Sequence, residues 1–123
     1  MPKVDKIERL VKDLGLNEKE KNSFTDRAKR LKPKQIKDHI TQFTKAVRDY
    51  EKGLEEIKSR KWNPETKSIE IPLEGGKKKL MTFKNEEKFN EWHQADIDNV
   101  SRHIEHDKDK IREWNILKKF KEA

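Results

Sequence analysis

The sequence predicts an α+β fold that is mostly helical, with short N-terminal helices, one long central helix, a small antiparallel β-hairpin or meander and one long C-terminal helix. Three observations predict it. Apolar residues recur at steps of three and four through the first half, the step drops to two around a Gly-Gly pair, and the helical step returns from Glu86 onward. No repeat, low-complexity linker or composition break interrupts residues 1–123, which read as a single domain.

Val4, Ile7, Val11 and Leu14 mark a first helix over about 3–14, and Gly15 follows where a helix commonly ends in a left-handed residue. Asn17 caps a second helix, about 18–31, with Glu20 as its capping-box partner and Phe24, Ala28 and Leu31 on its inner side. Pro33 suits the first turn of a third helix, about 33–60. Along it Ile36, Ile40, Phe43, Val47, Tyr50, Leu54 and Ile57 alternate steps of four and three without a miss. Gly53 lies off that stripe and costs about 1 kcal/mol relative to Ala, too little to break so long a helix.

The hairpin is expected over about 62–84. Asn63-Pro64 opens a turn, Ile69, Ile71 and Leu73 alternate with polar residues, and Gly75-Gly76 reverses the chain into Lys78 to Phe83. Pro72 cannot donate to a ladder, so the first strand is an edge or ends there, and Trp62 is placed at the start of a third short strand. Asn85 caps the last helix, about 86–119.

Composition sets the limits. Leu, Ile, Val and Phe number 27, about 22% of the chain, just above the roughly 20% below which a highly charged chain stays disordered. One small core is therefore expected. No apolar run exceeds three residues, so neither a signal peptide nor a transmembrane segment is expected, no membrane partner is foreseen and the expected site of action is cytoplasmic. The absence of Cys removes disulfides and thiolate metal sites.

The net charge of +7 points to an anionic partner, and its distribution says where. Residues 19–37 hold eight basic and two acidic groups, whereas residues 89–109 hold two basic and six acidic ones. The candidate nucleic-acid contacts are therefore Lys29, Arg30, Lys32, Lys34 and Lys37, with Lys77, Lys78 and Lys79 on the hairpin tip. Lys outnumbers Arg by 24 to 7, so contact should be mainly to the phosphate backbone and sensitive to salt. A solvated surface is the competing reading of the same residues.

Any chemistry is sought on the last helix. At 100° per residue from Phe89 its apolar stripe centres near about 20°, and His93, Asp96, His103 and Asp107 fall in the same sector. Ionisable groups on a core face must be paired, hydrogen-bonded or in a wet cleft. Three readings follow: a hydrogen-bonded structural network, a metal site built on His103 and Asp107 with His93 or Asp96, or acid–base catalysis. In the catalytic reading His103 is a general base held by Asp107 and His93 a general acid positioned by Asp96, cleaving a phosphodiester without metal.

A small, Cys-free, Lys-rich chain with His beside acidic groups shares its composition with many nuclease toxin or effector domains, an analogy of composition with no motif behind it. Gly75-Gly76-Lys77 lacks the spacing of a phosphate-binding loop, and no cofactor is expected. Two functions result. The first is a basic protein that engages RNA or another nucleic acid, with a ribonuclease activity if it is an enzyme. The second is a non-enzymatic helical adaptor, inhibitor or structural subunit that docks on an acidic protein partner or forms a homodimer.

Overall fold

A computed structural model describes residues 3–123, with side chains from Lys6 onward. The order is α1 (Lys3–Leu14), α2 (Glu18–Arg30), α3 (Pro33–Lys58), β1 (Ser68–Pro72), a single 3-10 turn (Glu74–Gly76), β2 (Lys78–Thr82) and α4 (Glu86–Glu122). This is the expected α+β class, mostly helical, with its long C-terminal helix. The side chain of Val4, expected on the stripe of α1, lies outside the described residues.

The chain groups into two compact units, residues 1–46 with 106–123 and residues 47–105. The first unit contains α1, α2, the N-terminal half of α3 and the C-terminal end of α4. The connection between α1 and α2 is fixed twice over. Gly15 takes φ +65°, and the bonds from Gly15 N to Lys12 O and from Leu16 N to Val11 O close a left-handed helix end. Immediately afterward Asn17 and Glu20 form the reciprocal capping box, Oδ1 accepting from Glu20 N at 2.8 Å and Oε1 from Asn17 N at 3.1 Å. At the next joint Lys32 N donates to Gln35 Oε1 at 2.8 Å, and Pro33 starts α3. These short connections hold Phe24, Ala28, Ile36, Leu117 and Phe120 in one buried cluster, with Ile7, Leu10, Val11, Leu16, Leu31, Ile40, Trp114 and Ile116 packed around it.

The second unit contains the end of α3, the hairpin and the first half of α4. Strands β1 and β2 pair antiparallel, Ile69 opposite Met81 and Glu70 opposite Leu80, which puts Ile69 and Ile71 on the packed face and Leu80 on the open one. Ile69 and Ser68 are buried, while Leu80 is 62% exposed. The expected third strand at Trp62 does not form. Asn63 makes one bridge to Ser68, and its Oδ1 then accepts from the backbone N–H groups of Glu65 and Thr66. A side chain that satisfies the turn in this way stops the ladder after one residue pair. Gly75 and Gly76 both take positive φ, as the expected reversal requires. Trp62 stacks on Phe89 (5.6 Å) and meets Phe83 edge-on, so it belongs to an aromatic cluster with Trp92. It is not a platform free to stack on bases.

Candidate nucleic-acid interface

His93 lies in the second unit, half-buried, with its ring stacked on Phe89 at 5.0 Å and Nε2 2.7 Å from the carbonyl oxygen of Ile57. A carbonyl only accepts, so Nε2 carries the proton and donates. Asp96 accepts from Arg60 Nη1 at 2.9 Å, and the same guanidinium lies 4.7 Å from the Trp92 ring centroid. Thus His93 is tied to α3 and Asp96 to Arg60, and neither partner is the other. His103 is exposed and stacks on Tyr50 at 5.4 Å. Asp107, in the first unit, faces His106 Nδ1 at 3.1 Å.

No hydrogen bond among the described residues joins any two of His93, Asp96, His103 and Asp107, so the expected pairings of His103 with Asp107 and of His93 with Asp96 are absent. Two of the four, His93 and Asp96, are instead satisfied by groups outside α4 that the one-helix projection could not see, and Asp107 by its chain neighbour His106. Among the described residues no three His, Asp or Glu side chains gather closely enough to hold a metal ion, and no helix is long and apolar enough to cross a membrane.

The basic segment divides into structural and unpaired cations. Lys21 pairs with Glu8, and the hydrogen bond it donates to the Glu8 carboxylate holds its amine above the ordinary lysine range. Arg27 pairs with Glu113 and lies near the faces of Phe24 and Trp114, at 5.8 and 5.7 Å from their centroids. These two charges are used inside the unit. Arg30 is exposed and pairs with Asp26 at 3.3 Å, a contact one turn away that water and salt weaken.

Lys29, Lys32, Lys34 and Lys37 are exposed, with no ion-pair partner among the described residues. Lys29 and Arg30 sit in the last turn of α2, where cations favour the helix dipole. Lys34 has no such reason. It stands in the first turn of α3, which holds no acidic residue, so the dipole opposes it.

Sequence reasoning missed the cations that complete this surface. Lys37 lines a cavity of about 370 Å³ together with Lys118 and Lys121 from the end of α4. The only clue was the run Lys118, Lys119 and Lys121, hidden because residues 89–123 sum to a net charge of −1. By unit the separation is sharper: the first holds 19 basic and 11 acidic groups, net +8, and the second 12 and 13, net −1. Lys77, Lys78 and Lys79 belong to the second unit, where Lys78 pairs with Glu70 at 3.3 Å. No protein-family model matches the chain, and neither a curated protein nor a solved structure matches it.

Proposed function

We propose that this protein binds nucleic acid through the phosphate backbone, using Lys29, Arg30, Lys32, Lys34 and Lys37 with Lys118 and Lys121 of the first unit. The observation that carries the reading is that Lys29, Lys32, Lys34, Lys37 and Lys118 are exposed with no ion pair among the described residues, whereas Lys21 and Arg27 of the same unit are consumed by ion pairs. Like charges held close without counter-charges cost stability, and an anionic polymer removes that cost by displacing small counterions. Lysine gives point charges suited to phosphate and poor at reading bases, so the binding is predominantly sequence-independent.

Cleavage draws less support than binding. Nε2 of His93 is engaged by a carbonyl, and the carboxylates that would orient the imidazoles face Arg60 and His106.

The test is titration of the protein with labelled tRNA and with duplex DNA at several salt concentrations, with and without EDTA. Contact with four to six phosphates gives a slope of log affinity against log salt of about −3 to −5. Changing Lys34, Lys37 and Lys118 together to Gln should reduce that slope by about 2 to 3. Affinity independent of salt, or unchanged in the triple variant, would sink the proposal, and conversion of the tRNA to fragments would restore the catalytic reading.

The open face of the hairpin favours a second reading as a protein-docking module. Leu73 and Leu80 are 48% and 62% exposed beside Lys77 and Lys79. A dimer by light scattering that Leu80→Ser dissolves would favour it.

A further inference from the structure

We infer that the nucleic acid this surface takes is single-stranded, with one unstacked base seated in the cavity between α3 and the end of α4. This rests on the phosphate-binding reading above and specifies the form of its ligand. The cavity lies wholly within the first unit. Pro33, Ile36 and Ile40 supply its apolar lining, and Lys37, Lys118 and Lys121 its charge, against the single carboxylate of Glu122. Its volume of about 370 Å³ is within the roughly 300–1,000 Å³ of small-ligand sites.

The combination discriminates between forms of nucleic acid. Duplex DNA or RNA offers its phosphates outside and keeps the flat apolar faces of its bases stacked inside, so an apolar recess flanked by lysines gives it nothing beyond its charge. A single strand can turn a base out, place that base against Pro33 and Ile40, and leave the adjoining phosphates beside Lys37, Lys118 and Lys121. The lining also includes Thr41 and Asn115. The Thr41 hydroxyl donates to the carbonyl of Lys37 at 3.0 Å, which leaves its oxygen free to accept from a base edge. The Asn115 amide both donates and accepts, so the recess favours no one base. The lining is aliphatic, and contact with it is weaker than stacking on an aromatic ring.

The experiment compares three ligands with equal numbers of phosphates by fluorescence anisotropy at low salt: a labelled single-stranded 12-mer, its duplex form scored per strand, and a 12-mer of abasic spacers. The single strand should bind about tenfold more tightly than either of the others. Backbone amide shifts followed by NMR should move at Ile36, Ile40 and Asn115 with the 12-mer and stay in place with the abasic strand. Equal affinity for the three ligands, or shifts confined to residues away from the cavity, would overturn the base-binding inference and leave the phosphate reading standing. Salt-independent or undetectable binding of all three would remove both.

Discussion

Arg27 and Glu113 show how one pair can fix a residue-level pH response. Burial alone pushes the Glu113 carboxyl up, but the hydrogen bond from Arg27 and the charges of Arg27 and Lys110 outweigh it, leaving the group below the ordinary glutamate range. A carboxyl depressed by folding adds stability above its unfolded pKa, near 4.5, and that stability disappears as pH falls through the lower folded value. Both side chains are about one third exposed, so the contribution is on the order of 0.5–1 kcal/mol. Glu113→Gln should therefore lower the thermal midpoint at pH 7 by a few degrees and leave it unchanged near pH 2. Thermal melts of the two proteins at both pH values test this, and an equal loss at the two would refute the linkage. The same residues show what sequence distance hides. Arg27 was legible as a basic residue and Glu113 as an acidic one, but their 86-residue separation meant that only the packing of α2 on α4 could take Arg27 out of the nucleic-acid footprint.

At the scale of elements, caps and periods were legible and changes of face were not. Asn17 with Glu20, Gly15, Asn85 and the Gly75-Gly76 reversal act over six residues or fewer, and each appears where its local chemistry demands. The stripe of α3 holds at Ile36 and Val47 but leaves Tyr50 38% exposed. Helix α4 departs furthest from a single stripe. Phe89 and Ile104 are buried on the expected side, whereas Leu117 and Phe120, which fall near about −80° and −140° on an ideal helix, are the most buried residues of its C-terminal end. A 37-residue helix that packs on a hairpin in one unit and on α1 to α3 in another has no reason to bury one continuous face.

That change also explains why His93, Asp96, His103 and Asp107 share a sector with apolar residues without sharing a site. A projection that averages the whole helix superimposes groups belonging to different surroundings. Leu117→Ala should cost about 2–5 kcal/mol because Leu117 is wholly buried in the first unit's core. Ile111→Ala, on the expected stripe but only half-buried, should cost less than about half of that. Urea denaturation of the two variants measures both, and the reverse order would restore the single-stripe description of α4.

Across the whole molecule the charge is divided between units: net +8 in one, with the surplus on exposed lysines, and net −1 in the other. A total of +7 describes neither. Self-repulsion among Lys29, Lys32, Lys34, Lys37, Lys118 and Lys121 opposes folding at low ionic strength, and none of the six has an ion-pair partner among the described residues to offset it. Binding and stability should therefore respond to these residues with opposite signs. Each single change of Lys34, Lys37 or Lys118 to Gln should raise unfolding free energy by a few tenths of a kcal/mol at about 10 mM salt and by almost nothing at about 0.5 M, where screening acts within a few ångströms. The same changes should weaken retention on a heparin column, and the most stabilising one should elute earliest. Conversely, a polyanion present in excess should raise the thermal midpoint of the unaltered protein at low salt, because it binds the folded surface in preference to the extended chain. Lysines that merely solvate the surface would give no such inverse relation. Variants that lose stability and heparin affinity together would mean that these side chains hold the fold, and the electrostatic division between the units would then have a structural cause.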